Sequence, residues 1–441
     1  MEQRRKNLTQ LFIPICLETL LYMLSGMVDT LMLSSVNDQA VGAVGTANTY
    51  IGIFIIMFSV ISSGMVAVMT QNIGAGRPGV AYQARQLGLV FNAALGVIMS
   101  LFLSLGAGTI LSGVGVADAL MQPAKTYLQI VGGFCILNAL IPICSSYLRA
   151  FGFSKEPLYA SIIGNVINFC LNAFFLFVLH KGVAGVATAT VISRIINLVI
   201  VVLLGAVLVK AKQHPERESN RAVMGQIIRI GLPSACETAI YNVSMTLVIR
   251  FLNQMDAQGL NVTARSYTMQ ITNFSYCVGA ALAQANAIMT GWHIGAKEYD
   301  ACDCGTKKAA VIGVIVAVIL ETVFTLCSGW IMQLFSKDPQ MVSLVGKLLA
   351  IDIVLEIGRV TNLVYGQALK TSGDAVFPVV MGACFMILCS VGGTYLFGIR
   401  LGLLAVGAYI GMTGDECVRA VGMYLRWKSG KWKEKGLVKS R

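Results

Sequence analysis

Two carboxylates stand in a run otherwise fit for hydrocarbon, ETLLYMLSGMVD, from Glu18 to Asp29. An α-helix turns about 100° per residue, so Glu18, Tyr22, Ser25 and Asp29 share one stripe while Leu, Met and Val fill the other faces. An ionisable residue in such a setting faces a cavity or a partner helix, because leaving it in lipid costs about 2.5–3.5 kcal/mol even by lenient scales. The carboxylate of Asp29 could carry a proton, or hold a hard cation such as Na⁺ if neutral oxygens surround it. Asn165, Asn168 and Asn172 recur at helical spacing on one face of a later apolar run, and their amide oxygens suit that task. The same amides could equally form a ladder that holds helices together. A third polar face carries Asp352, Glu356, Arg359 and Asn362, with Glu356 and Arg359 three residues apart and able to pair. Asp415, Glu416 and Arg419 form a further cluster that reads as an internal charge lock, and Glu321 is isolated in its run with no role that the sequence assigns.

The elements that position these groups are membrane helices. Of 441 residues, 56% are hydrophobic and 12% charged, roughly half the charge of an average soluble domain. Apolar runs long enough to cross ~30 Å of hydrocarbon recur along the chain. They cover 8–33, 46–70, 86–111, 126–148, 158–180, 184–209, 227–252, 267–291, 308–334, 343–369, 377–398 and 402–426, which makes twelve expected transmembrane helices. No cleavable signal peptide is expected, the first run reading as a permanent helix. The net charge of +12 is unevenly placed. Most Lys and Arg fall in the N-terminal residues, alternate connections and the tail, whereas Lys125, Lys181, Arg250, Arg265, Lys337, Lys347 and Arg400 fall on the opposite side. By the positive-inside rule both termini are cytoplasmic in a multi-pass plasma-membrane protein. The basic tail then serves topology and lipid headgroups, and no nucleic-acid partner is expected. The twelve cysteines lie mostly within spans, and the lone Cys302-x-Cys304 lacks the second ligand pair of a zinc site.

The chain repeats itself about 220 residues apart. Glu18, Thr19, Tyr22 and Ser25 of the first span match Glu237, Thr238, Tyr241 and Ser244, while Asp29 meets Val248. IGAG from Ile73 matches IGAK from Ile294, LRAFGFSKEP ending at Pro157 matches LKTSGDAVFP ending at Pro378, and GVAGVA from Gly182 echoes GLLAVG from Gly402. Each repeat holds six spans, so the two halves are parallel repeats, the plan of secondary transporters in which two bundles rock around a central cavity. The expected division is an N-terminal six-helix bundle (1–209), a cytoplasmic linker (210–228), a C-terminal six-helix bundle (229–426) and a basic tail (427–441). Gly and Pro in the repeated cytoplasmic loops suit short turns that need φ > 0 and a helix stop.

At GMVDTLMLSSV (Asp29), NVINFCLNAFF (Asn168, Asn172), GVAGVATAT (Thr188), GLPSACE (Glu237) and DECVRAVGMYLRWKSGKW the chain resembles the multidrug and toxic compound extrusion (MATE) family over nearly its whole length. The resemblance implies efflux of bulky organic cationic or amphipathic compounds, driven by inward Na⁺ or H⁺, with no cofactor. It implies a cation-coupling site at Asp29 with Asn168, Asn172 and Thr188, where Na⁺ would bind Asp29, Asn168 and Asn172. It also implies a second acidic pair of which Glu237 is one member. Some relatives carry an Asp near the place of Arg359, where this chain offers Asp352 and Glu356. Substrate and cavity positions are then Glu18, Tyr22, Glu237, Tyr241, Glu356 and Arg359, with small organic cations and membrane lipids as partners and a monomer as the expected state. Glu18 and Glu237 lie roughly 15 Å along their helices from the cytoplasmic end, where they could attract cationic cargo.

The sequence holds no HExxH, GxSxG or P-loop, so enzyme chemistry and ATP-driven transport are not expected. The alternative is a flippase for a lipid or lipid-linked precursor, which should show several Lys or Arg in its cavity rather than intramembrane acids.

Overall fold

The computed structural model describes residues 6–35, 38–113, 116, 118–210, 214–256, 259–333, 335–336 and 338–438. Arg4, Arg5, Lys212, Lys337, Lys439 and Arg441, part of the expected charge asymmetry, lie outside the described residues. Among the described residues twelve long helical segments are formed: α1 (Leu8–Ser34), α2 (Asp38–Gly74), α3 (Pro78–Gly113), α4 (118–150), α5 (Lys155–Val178), α6 (Gly182–Leu208), α7 (Asn220–Met255), α8 (Leu260–Gly295), α9 (Tyr299–Leu326), α10 (Pro339–Ser372), α11 (Val376–Arg400) and α12 (Leu404–Lys428). A short helix, Ser328–Gln333, follows α9. Among the described residues seven of these, α1–α3, α5, α6, α9 and α11, are each long and apolar enough to cross a membrane, and α4, bent by 43°, makes an eighth. The remaining four, α7, α8, α10 and α12, carry Glu237, Arg265, Asp352 to Asn362, and Asp415 to Arg419. Polar groups on one face lower the average apolarity of a helix without changing its length, and these four line the polar site described below.

The chain divides into two compact units, Met1–Gly231 and Leu232–Arg441. The division falls within α7, and part of the expected linker (210–228) is helical from Asn220. The segment before it docks on the start of α3. Arg77 pairs with Glu218 at 2.6 Å, and Gln83 accepts from the Glu218 amide and donates to its carbonyl. Gly64 and Gly231 allow α2 and the first turns of α7 to touch through their backbones. A Cβ at Gly64 would lie 2.0 Å from the Ile227 carbonyl oxygen, and one at Gly231 1.7 Å from that of Val60. Small residues at such crossings are how membrane helices pack where burial from water supplies little drive. Each unit has its own apolar core, around Phe58, Leu103, Leu128 and Val131 in the first and around Val248, Leu252, Leu348 and Tyr409 in the second.

The sequence repeat is also a backbone repeat. Gly152 and Gly373 are left-handed with φ 85° and 98°, Gly182 and Gly402 with φ 54° and 69°, and Gly76 and Lys297 with φ 74° and 61°. Lys297 thus keeps a glycine conformation without being glycine. Widened helical turns close the fifth helix of each half, at Phe174–Val178 and Thr394–Arg400. The expected basic tail (427–441) is not a free extension over its described part. Trp427 belongs to α12, and Trp432 stacks on it with ring centroids 4.1 Å apart and donates to the Trp427 carbonyl. The returning chain passes so close to Gly373 that a Cβ there would lie 2.3 Å from the Lys435 carbonyl oxygen.

Gly373→Ala meets both a left-handed backbone and that carbonyl, so it should lower stability by about 1–3 kcal/mol. Lys297→Gly, which relieves the same conformation in the sister loop, should be neutral or stabilising. Thermal unfolding of the two variants in detergent checks this; equal losses would contradict it.

Candidate functional site

In the N-terminal unit α1 packs along α5, and the acid of α1 meets the amide face of α5. Asn172 Nδ2 donates to Asp29 Oδ1 at 2.6 Å and also reaches Asn168 Oδ1 at 3.2 Å. Asn168 and Asn172 are buried, whereas Asp29 is half-buried. The Oδ1 of Asn172 is buried and has no hydrogen-bond partner among the described residues. A carbonyl oxygen left so beside a carboxylate is what a hard cation seeks as a ligand. Arg194 of α6 acts on Asp29 through space, but among the described residues no ion pair joins them. Thr188 is directed elsewhere, its hydroxyl donating to the Ala184 carbonyl at 2.8 Å. Asn165 donates to the Leu21 carbonyl at 3.4 Å, helping set α5 against α1. Tyr22 is 69% exposed.

The matched glutamates of the two repeats are held in matched ways. Glu18 Oε2 pairs with Arg149 at 2.5 Å, and Glu237 Oε2 with Lys370 at 2.6 Å. Arg149 and Lys370 end the fourth helix of each half, at corresponding places in the repeat. Each pair ties the first helix of its half to the end of the fourth.

The C-terminal unit contains a cavity of about 440 Å³, lined by α7, α8, α10, α11 and α12. Its wall alternates in charge. Glu356 bonds Arg359, Arg359 lies 3.9 Å from Glu416, and Arg419 bonds Glu416 and Asp415, each at 2.8 Å. Asn362 donates to Glu416 at 3.0 Å and Ser390 to Asp415 at 3.0 Å. Asp415, Glu416 and Arg419 thus pair with one another, and Arg359 joins them to Glu356. Glu321, which the sequence left without a role, closes on this network from α9. Oxygens of Glu321, Asp352 and Glu356 all lie within 4.8 Å of one another, and all three residues are buried. The buried hydroxyl of Ser275 faces Glu321, and by strict geometry neither it nor the Glu321 carboxylate has another hydrogen-bond partner among the described residues. Three carboxylates this close cannot all stay ionised without a counter-charge; the arrangement can take up protons or a small hard cation. Helical spacing joined Asp352 to Glu356, but nothing in the sequence could show that Glu321 is beside them. The remaining wall is soft, from Met245, Met269, Met386 and Met412 with Tyr241, Tyr276 and Tyr409.

The chain matches the MatE family over residues 14–174 and 233–396. It is 34% identical over 431 residues to the uncharacterized transporter YisQ of Bacillus subtilis, covering 96% of this chain and 94% of that one. It is 23% identical over 446 residues to the probable multidrug resistance protein NorM of Thermotoga maritima, covering 98% and 94%. Among solved structures it resembles a MATE in the bent conformation with a TM-score of 0.85 at 19% identity, covering 97% of this chain and 96% of that one. It also resembles an outward-facing multidrug resistance MATE family transporter of the MOP superfamily, with a TM-score of 0.84 at 18% identity, covering 98% of this chain and 96% of that one. These matches, running through both repeats and spanning nearly the full chain, show that the protein belongs to the MatE family of multi-pass membrane transporters and is not an enzyme.

Proposed function

We propose that the chain exports organic cationic or amphipathic compounds by antiport with inward Na⁺ or H⁺. The observation that carries this reading is the Asp29 cluster: a carboxylate bonded to Asn172, beside a buried amide oxygen that has no partner among the described residues, with Arg194 acting on it through space but forming no ion pair among them. The inward ion binds Asp29, Asn168 and Asn172, with Thr188 entering the shell in another conformation, and the N-terminal bundle rearranges. Coupling requires only that ion and substrate differ in affinity for the inward- and outward-facing states. The bundles 1–209 and 229–426 are the moving parts, joined by 210–228. The protein sits in the plasma membrane with both termini cytoplasmic, works as a monomer, and meets lipid headgroups through its basic tail.

Glu18 with Tyr22, and Glu237 with Tyr241, serve the cytoplasmic path of the substrate. Each glutamate exchanges its Arg149 or Lys370 partner for the cationic cargo. Glu356 and Arg359 belong to the C-terminal binding wall. The flippase alternative finds less support. Of the cations lining the C-terminal cavity, Arg359, Lys370 and Arg419 are each paired with an acid. A phosphate-rich headgroup would need several of them free.

Asp29→Asn should keep the fold, by circular dichroism and size exclusion, while lowering gradient-driven dye efflux from proteoliposomes at least about tenfold, the loss expected when a coupling charge is removed. Undiminished efflux in that variant sinks the assignment. Imposing a pure Na⁺ gradient and then a pure pH gradient on the wild type identifies the ion.

Glu237→Gln should weaken efflux of a cationic dye more than that of a neutral one, measured side by side in the same vesicles. An equal loss for both dyes would reduce Glu237 to a structural partner of Lys370.

A further inference from the structure

Arg265 differs from every other cation of the C-terminal cavity. It sits just over a turn into α8 and is 6% exposed. The start of this helix is fixed. Asp256 accepts from the backbone amides of Leu260 and Asn261 at 2.8 and 3.0 Å, and Asn261 Oδ1 accepts from the Ala405 amide at 3.0 Å, tying α8 to α12. The charge asymmetry of the sequence put Arg265 among outer-side residues, and the fold buries it against the cavity. Among the described residues its one polar contact is weak, Nη2 to the Met245 sulfur at 3.8 Å, and its buried Nε has no partner. Among the described residues no carboxylate comes within pairing distance.

A guanidinium never sheds its proton in a protein, and a buried one without a counterion is costly. Arg359 and Arg419 avoid that cost with acids, whereas Arg265, with no acid paired to it among the described residues, lines a cavity of about 440 Å³, a volume that suits a drug-sized molecule. A planar carboxylate matches that fork with two parallel hydrogen bonds. The surroundings narrow the choice further. Tyr409 lies within electrostatic reach of both Arg265 and Asp352, and one Asp352 oxygen also lacks a partner. A doubly charged phosphate would be repelled by that acid, whereas a molecule carrying both a carboxylate and a cationic centre satisfies both ends. Met245, Met269 and Tyr276 offer polarizable and aromatic contact to its body.

We propose that the C-terminal cavity is a carboxylate-binding subsite in which Arg265 holds the acid group of an amphipathic zwitterion. This deepens the export reading, on which it rests for its physiological sense, by naming a substrate class. The test measures binding with no gradient present. Purified full-length protein in detergent is titrated by fluorescence anisotropy with rhodamine 110, a zwitterion with a free carboxylate, and with rhodamine 123, its cationic methyl ester. The wild type should bind the acid about tenfold or more tighter than the ester, the scale of a charge-assisted bidentate contact. Arg265→Gln should erase that preference by weakening the acid while moving the ester less than about threefold. A wild type that binds the ester as tightly as the acid, or an Arg265→Gln variant that keeps the preference or loses both dyes equally, overturns the proposal. Should Arg265→Gln not fold, Arg265→Lys carries the test. It keeps the charge and loses the fork, so the acid preference must fall, and an unchanged preference overturns the proposal. Preference for the acid without any gradient-driven efflux would sink the export reading and leave this subsite standing.

Discussion

An ionised side chain inside a bundle surrounded by hydrocarbon must be answered by an opposite charge, a proton or a ligand. In the C-terminal unit the answer is mostly internal. Glu356, Arg359, Glu416, Arg419 and Asp415 alternate in sign between α10 and α12 and pair along that row. In the N-terminal unit the answer is left open: Asn172 donates to Asp29, and among the described residues no ion pair joins Asp29 to Arg194, which acts on it only through space. The difference between a wall that is locked and a site that can exchange its counterion follows from that contrast.

Packing makes the contrast possible. Glycines at helix crossings bring backbones together and hold polar faces in register. Gly358 is one such position, where a Cβ would lie 2.8 Å from the Cys417 amide nitrogen. This contact sets α10 against α12 beside the Arg359 and Glu416 charges. The two glutamate pairs, Glu18 with Arg149 and Glu237 with Lys370, do similar work in each half by joining the first helix to the fourth. The repeat therefore extends to an interaction as well as to the backbone. Asp29 lies outside that shared plan, since Val248, buried in the apolar core, holds its place in the second half. The halves have therefore diverged in chemistry while keeping their backbone turns.

Sequence reading reached the site only where its members are local in the chain. Asp29 was visible as an acid in an apolar run, and Asn168 and Asn172 as one helical face. Arg149 was visible only as a loop charge, because its partner Glu18 is 131 residues away. Thr188, named by family resemblance, makes its hydrogen bond within its own helix. Glu321 looked isolated because its neighbours Asp352 and Glu356 belong to another helix.

Apolar length, periodicity and local backbone preference are written along the chain. From them alone follow the helical membrane class, the twelve helical segments, the six-plus-six repeat and the glycine turns. Which charges are paired and which stay open was settled only when the helices came together. Pairing depends on distances between helices far apart in sequence, and an unanswered charge such as Arg265 is defined by what fails to approach it.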